Sequence, residues 1–469
     1  MASRVVYRQR EIEQLRSYAA APPALVVLSG RRRVGKSFLL RVALTGDRVV
    51  SLQAEQKPAP LQLGDFAREC SRLLPGSPPL AFADWEAAFR FVHAQAEAGG
   101  PLVVVLDEFQ YLAQNTDGLD TIVQKWWDRW DHEGMPVMLV LSGSALSFME
   151  GLLKTGTHGR SVFRPLLQPL DFRDAASFAP KAAGPIELIE RYAVLGGTPQ
   201  YQRWAGDRPL RDVLREVVLP TDAPLHSDPE HLIREEDEIR TAGPYFGTLE
   251  AIAGGATTPT EIGGRLALDT QLVTAHLNRL AKLGYVEKVM PVDPDGKGSA
   301  RAYWRTKDPF FRFWFRFVFP QRSRLERGRV GEVAVEIERS LPGFTSFVFE
   351  DVCREWIGGV SPLGSSASRV GSWWSRRSDL EVDVAAVDRK GYTLLGSCKW
   401  WKNPVGEAVL DELLSARTAI GPKANQAELA IFAKHGFTDE LAARAERERI
   451  HLITAADLFA SKPAAGGAS

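Results

Sequence analysis

The chain has 469 residues, which at roughly 150 residues per domain suggests about three domains. Lys plus Arg total 58 and Asp plus Glu total 58, which excludes a uniformly basic nucleic-acid coat but leaves room for a local patch. Hydrophobic residues at 45% and charged residues at 25% are ordinary globular values and exclude disorder over most of the chain.

No apolar run reaches the ~18 residues that a membrane helix needs. The start, MASRVVYRQREIEQL, carries charge where a secretory signal needs its apolar centre, so an intracellular, cytoplasmic protein is expected. Cys70, Cys353 and Cys398 are too dispersed for a disulfide framework, and no CxxC or Cys/His pair points to zinc.

Residues 1–180 alternate apolar runs with amphipathic stretches, the rhythm of a parallel α/β sheet with crossover helices. Strands are expected at 24–29, 49–54, 102–107 and 137–142, with 161–170 as the last. Each run is apolar throughout, as in strands covered on both faces. Residues 181–240 read as a helical region with Pro-rich breaks. From 241 to 308 the pattern is helix, helix, helix, hairpin, with a Thr cap at TPTEIGG and a stop at Gly284. That order is a winged helix. Residues 309–460 open with an aromatic and basic lead-in, KDPFFRFWFRFVF, which is either a packing element or a nucleic-acid contact strip. A second, smaller α/β unit follows: a helix at 346–357, strands near 370–375, 381–387 and 392–398, a helix at 405–419, a strand at 427–433 and a helix at 437–448. The tail 461–469 reads as disordered.

GRRRVGKS, from Gly30 to Ser37, fits G-x-x-x-x-G-K-[ST] between an apolar strand and a helix, the context that this phosphate-binding motif demands. The cradle comprises Gly30, Arg31, Arg32, Arg33, Val34, Gly35, Lys36, Ser37 and Phe38. Its backbone N–H groups and the helix N-terminus face phosphate oxygens. Lys36 is expected to reach the β and γ phosphates and Ser37 to ligate Mg²⁺. Whether Arg31, Arg32 and Arg33 are solvated or touch phosphate or DNA stays open.

LVVVLDEF ends a strand in two acids. Asp107 is expected to hold Mg²⁺ through water, and Glu108 to polarise the attacking water as general base. The second acid separates hydrolytic ATPases from nucleotide kinases of the same fold. Ser144, in the SGS after the fourth strand, stands where a side chain can sense the γ-phosphate, or else it closes an ordinary turn. Arg160 is either a solvated loop residue or an arginine supplied to a neighbour's γ-phosphate.

The chain resembles the archaeal-type P-loop ATPases of the AAA+/STAND group with a C-terminal DUF234 region. The resemblance rests on YRQREIEQL, GRRRVGKS, LVVVLDEFQYL, LSGSALSFM, GRSVFRPLLQPL, YAVLGGTPQY and RAYWRTKDPFFRFWFRFV, then on FEDVCREW, VGSWW, LEVDVAAV and GSCKW. It implies that Gly197-Thr198-Pro199 is a lid motif with Pro199 packing near the adenine, and that Arg160 lies at or near a nucleotide. It also implies a C-terminal domain of PD-(D/E)xK nuclease-like (restriction-endonuclease-like) fold. In that fold Asp383 and Lys399 stand for the acid and lysine, and Glu350 for a helix acid. Two carboxylates would hold Mg²⁺ and the lysine would activate water. The usual second acid is replaced by Ser397, and Glu412 on the next helix is a substitute.

The window 297–329 holds ten cations (Lys297, Arg301, Arg305, Lys307, Arg312, Arg316, Arg322, Arg324, Arg327, Arg329) and two acids, Asp308 and Glu326. Such a patch predicts steeply salt-dependent phosphate binding. Its alternative is arginines snorkelling over aromatic rings. Thr270, Gln271, Thr274, His276 and Asn278 are candidate base readers on the third helix of the winged helix.

Three functions fit. The first is a Mg²⁺-dependent ATP-hydrolysing switch or motor coupled to DNA binding, as a monomer or homo-oligomer. The second is an ATP-gated DNA nuclease effector. The third is a non-hydrolysing, ATP-liganded DNA-binding regulator.

Overall fold

The computed structural model describes residues 7–46, 48–155, 157, 159–236, 239, 241–295, 302–359, 361–364, 366–375 and 379–460. The expected disordered tail at 461–469, the first six residues, and Lys297 and Arg301 of the basic window lie outside the described residues. Two compact units divide between Pro169 and Leu170.

In the first unit, α1 (Gln9–Ala20) leads into β1 (Ala24–Ser29), α2 (Lys36–Ala43), β2 (Val49–Gln53), α3 (Ala59–Ser71) and α4 (Trp85–Gly99). β3 (Leu102–Asp107), α5 (Phe109–Asn115), α6 (Leu119–Glu133), β4 (Val137–Gly143) and α7 (Leu146–Thr155) follow. The sheet order is β1-β4-β3-β2, and every pair is parallel. β1, β3 and β4 are buried along their whole length, because helices cover both faces of the sheet and no position can tolerate polarity. One face packs Phe89, Trp127 and Trp130 against Val104 and Leu139. The other packs Leu15, Leu39 and Leu40 against Val26 and Val140. The fifth strand expected at 161–170 is reduced to parallel bridges at Phe163 and Leu166 beside β1. Its two prolines, Pro165 and Pro169, lack the N–H groups that a continuous ladder needs. The arrangement is a P-loop NTPase sheet.

The second unit starts with α8 (Phe172–Ala176), α9 (Pro185–Leu195), α10 (Pro199–Ala205), α11 (Leu210–Val213) and α12 (Asp228–Arg234). A winged helix follows: α13 (Gly243–Ala253), α14 (Pro259–Leu266), α15 (Thr270–Lys282) and an antiparallel hairpin of β5 (Val286–Val289) with β6 (Tyr303–Thr306). Thr258 and Glu261 form a reciprocal capping box at the start of α14, as TPTE predicts. The aromatic lead-in forms α16 (Pro309–Phe313), a π turn (Trp314–Val318) and α17 (Arg322–Glu326). Phe310, Phe311, Phe313, Trp314 and Phe315 are all fully buried, so this segment is a packing element and not a contact strip.

The helix expected at 346–357 extends much further, as the thirty-residue α18 (Val330–Gly359). It packs on a five-stranded mixed sheet: β7 (Arg369–Trp374), β8 (Glu381–Val387), β9 (Tyr392–Lys399), β10 (Glu428–Ala433) and β11 (His451–Thr454), with α19 (Glu407–Ile420) and α20 (Asp439–Glu448) between the later strands. The order is β11-β10-β9-β8-β7. β11 escaped the sequence reading because His451-Leu-Ile-Thr454 is too short to show a period. One continuous apolar core runs from Phe172 through the winged helix and aromatic segment to Leu458.

Candidate functional site: a P-loop with a carboxylate pair

The turn between β1 and α2 carries Gly35 as N-cap of α2 at φ 94°, a backbone conformation that only glycine adopts without cost. Lys36 is 4% exposed. Its Nζ donates to the carbonyls of Gly30 at 2.8 Å and Arg31 at 3.3 Å, and sits 3.7 Å from Glu108 Oε1. Burial works to lower its pKa against the opposing pull of Glu108 and Asp107. Arg8, in the box before α1, donates to Val34 O at 3.2 Å and Gln168 O at 2.5 Å, so the first helix braces the loop. Arg32 donates to the Tyr111 hydroxyl. Phe38 stacks on Tyr7 with ring centroids 6.2 Å apart.

The parallel sheet carries Asp107 to the loop. Ser37 Oγ donates to Asp107 Oδ2 at 2.5 Å. Two hard oxygen donors in contact, facing a cluster of backbone N–H groups, suit a divalent cation that also takes phosphate and water oxygens. Among the described residues no group of three or more His, Cys, Asp or Glu is arranged as a cage for a metal ion.

Glu108 follows in the left-handed region, at φ 54°. Its Oε2 accepts from Ser144 Oγ at 2.6 Å, Ser144 N at 3.1 Å and Gln110 Nε2 at 2.6 Å. Burial pushes this carboxyl up, but the Lys36 ammonium and these hydrogen bonds outweigh it and hold the group below the usual carboxylate range. Lys36, Ser37, Asp107, Glu108 and Ser144 therefore form one connected cluster, as the motif spacing predicts. Gln110 is the member that sequence reasoning missed. Its position two residues after Glu108 was the available signal.

Arg160 lies outside that cluster. It forms a two-point ion pair with Asp128 on α6, Nε to Oδ1 at 2.5 Å and Nη2 to Oδ2 at 3.0 Å. Pro199 belongs to the second unit, where it is buried at the first turn of α10. The preceding Gly197 has no room for a side chain, because a Cβ there would run into the Leu170 backbone.

In the C-terminal sheet, Asp383 and Lys399 sit on the adjacent strands β8 and β9. Asp383 Oδ2 accepts from Cys398 N at 2.6 Å and Ser397 Oγ at 3.2 Å. Burial, and then the Asp383 charge, raise the Glu350 carboxyl. The Lys399 ammonium sits 5.5 Å from the Trp401 ring centroid. Glu412 is exposed on α19 and makes no hydrogen bond or ion pair among the described residues, so Asp383 and Glu350 interact, Lys399 stands on the neighbouring strand, and Glu412 lies apart from that pair.

The basic window turns out to be largely committed. Arg305 pairs with Glu287 at 2.6 Å and Asp351 at 2.5 Å, and Arg324 with Glu336 at 2.7 Å. Arg329 pairs with Glu332 at 2.5 Å, and Arg322 pairs with Glu230. Arg316 donates to Ala253 O at 3.1 Å. Much of the surplus counted along the sequence is thus met by acids outside the window, from Glu230 to Asp351. On α15, Thr270, Gln271 and Asn278 are exposed, but His276 is buried and packs at a tilt against Tyr245, with ring centroids 4.7 Å apart, so it is not a base reader.

Residues 314–410 match the DUF234 model, described as archaea bacterial proteins of unknown function, and residues 242–298 match that of the MarR family. The chain thus carries a DUF234 region behind a MarR-type winged helix. An uncharacterised protein of Methanocaldococcus jannaschii, MJECL04, is 28% identical over 384 residues, 80% of this chain and 82% of that one. The Walker-type ATPase PABY2304 of Pyrococcus abyssi superposes with a TM-score of 0.48 at 20% identity, over 66% of this chain and 95% of that one. The ORC1 protein of Aeropyrum pernix, solved in complex with DNA, gives a TM-score of 0.34 at 15% identity, over 68% and 94%. No helix among the described residues is long and apolar enough to cross a membrane.

Proposed function

We propose that the chain is a Mg²⁺-dependent ATP-binding and ATP-hydrolysing switch or motor that couples its nucleotide state to DNA. The contact that carries this reading is Ser37 Oγ to Asp107 Oδ2 at 2.5 Å, beside the Lys36–Glu108 pair at 3.7 Å. Hydroxyl, ammonium and two carboxylates come together from the start of α2 and the end of β3, the set of groups that phosphoryl transfer to water requires.

Ser37 and Asp107 would hold Mg²⁺, which when bound neutralises phosphate charge. Lys36 would leave the Gly30 carbonyl for the β and γ phosphate oxygens, with the Gly30–Gly35 N–H groups and the α2 N-terminus around them. Glu108 would accept the proton of the attacking water at a carboxylate oxygen. It is ionised at neutral pH, as a base must be. Ser144 and Gln110 would hold that carboxylate until a phosphate arrives. Pro199 is assigned to the adenine side and Arg160 to a second protomer's nucleotide.

The DNA component is supported by the MarR-family match and by the exposed Thr270, Gln271 and Asn278 on α15. The five-part division into core (1–180), lid (181–240), winged helix (241–308), nuclease-like domain (309–460) and tail (461–469) belongs to the same proposal.

Nucleotide binding and phosphate release by wild type, Lys36→Ala and Glu108→Gln test the reading. Lys36→Ala should lose nucleotide affinity, and Glu108→Gln should bind ATP without turnover. Equal affinity in wild type and Lys36→Ala refutes the site. A second reading, an ATP-gated nuclease, draws on the Asp383–Lys399–Glu350 grouping, and Ser397 in place of an acid weighs against it.

A further inference from the structure

The phosphate loop is tied to the chain segment that leaves the first unit. Leu167 N donates to Ser29 O, at the end of β1, at 2.7 Å. Gly30, the first residue of the loop, approaches Leu167 so closely that a Cβ on it would stand 2.8 Å from the Leu167 carbonyl oxygen. Arg8 makes the third tie. One nitrogen of its guanidinium, Nη2, donates both to Val34 O in the loop at 3.2 Å and to Gln168 O at 2.5 Å. A charged donor makes hydrogen bonds roughly twice as strong as a neutral one, so Arg8 is a firm link between these two stretches of backbone.

Two residues further on, the same segment is anchored in the second unit. Leu170 N donates to Gly197 O at 2.7 Å, and the Tyr192 hydroxyl donates to Leu170 O at 3.4 Å. Each of these ties lies within one unit. Only Pro169 stands between the two anchored stretches, and its ring fixes φ at about −65°. A link this short, held at both ends and stiffened by proline, has few dihedrals left to absorb a shift at either end.

A ligand would act on the loop end of this link. Lys36 Nζ rests on Gly30 O at 2.8 Å and on Arg31 O at 3.3 Å. A triphosphate would draw Lys36 from those carbonyls and gather the loop N–H groups around its own oxygens. That disturbs Gly30 and Val34, the loop residues in touch with Leu167 and, through Arg8, with Gln168. We propose that Arg8 is a positioning residue that passes the occupancy of the phosphate loop to the Leu167–Leu170 segment, and through it to the Gly197 turn of the second unit. Arg8 acts by making Val34 and Gln168 move together and not by touching the nucleotide. The proposal rests on the P-loop reading above and names the route by which nucleotide state leaves the first unit.

The test uses the full chain, a non-hydrolysable ATP analogue and hydrogen exchange read by mass spectrometry. Wild type should bind the analogue and slow exchange in residues 167–198 by about fivefold or more, the lower end of ordinary coupling. Arg8→Ala should still bind the analogue but lose most of that response. Arg8→Lys keeps the charge without the planar fork and should fall between the two, and it decides the matter if Arg8→Ala does not fold. A merely structural role would change exchange equally with and without nucleotide and leave the response intact. The inference is overturned if every variant that folds responds like wild type, or if both variants lose binding altogether, which would make Arg8 part of the phosphate site. Wild type that binds no analogue refutes the P-loop reading and this inference with it, whereas binding without a response in 167–198 refutes this inference alone.

Discussion

Ser144 donates its hydroxyl to Glu108 Oε2 at 2.6 Å, and its backbone N–H reaches the same oxygen at 3.1 Å. One residue at the end of β4 therefore fixes the carboxylate at the end of β3. A general base contributes about 10²–10⁴-fold only when it is held in place. Ser144→Ala removes the hydroxyl and keeps the N–H, so turnover should fall by roughly tenfold while ATP affinity stays within about twofold. Phosphate release and nucleotide titration measured side by side check this. A wild-type rate would leave Ser144 as an ordinary turn residue.

Asp128 holds Arg160 through both carboxylate oxygens. An arginine so engaged must change partner before it can serve a neighbour's γ-phosphate. The pair lies at the surface, with Arg160 33% and Asp128 53% exposed, so the cost of release is small. Asp128→Ala should raise ATP hydrolysis per chain and steepen its rise with protein concentration, whereas Arg160→Ala should make the rate strictly proportional to concentration. Rate-versus-concentration series for the three proteins decide. Proportionality in all of them removes Arg160 from trans catalysis.

Asp351 faces Arg305, Arg312 and Arg354 at once. Burial raises its carboxyl, but the three guanidinium groups outweigh that and hold it well below the usual range. A depressed folded-state pKa means stability that is present above the unfolded pKa and lost as pH falls through the folded one. Asp351→Asn should cost about 3–5 kcal/mol at pH 7, the penalty for stranding buried charge. The gap between variant and wild type should close in strong acid. Denaturant unfolding across pH measures both, and a variant as stable as wild type at neutral pH contradicts the account.

The P-loop half was legible because its rules are local. An apolar strand, a glycine turn and an acid at a strand end are each written in consecutive residues, and the sheet brings Ser37 and Asp107 together. The C-terminal half was less legible because its partners are remote. Arg305 meets Asp351 forty-six residues away, and Arg322 meets Glu230 ninety-two away. Charge counted along one window therefore overstated the free cations. The same distance effect hid Arg8 under the loop and Asp128 against Arg160, because no period or motif links α1 to Val34 or α6 to the segment after α7.

The nuclease question turns on Ser397. Its hydroxyl lies 3.2 Å from Asp383 Oδ2, and the Cys398 N–H lies 2.6 Å from the same atom. One carboxylate oxygen is thus occupied by donors where a metal-binding pair needs a second acid. Burial, and then the Asp383 charge, raise the Glu350 carboxyl and favour its protonated, non-ligating form. Glu412 is exposed on α19 and makes no hydrogen bond or ion pair among the described residues. The wild-type chain should therefore leave DNA intact with Mg²⁺ or Mn²⁺, with or without ATP. Ser397→Glu should restore two carboxylates on adjacent strands and tighten Mn²⁺ binding by roughly tenfold. Labelled-DNA digestion and a Mn²⁺ titration test the two halves separately. Wild-type cleavage that disappears in Asp383→Ala and Lys399→Ala would show that a site with one acid replaced still works as a nuclease.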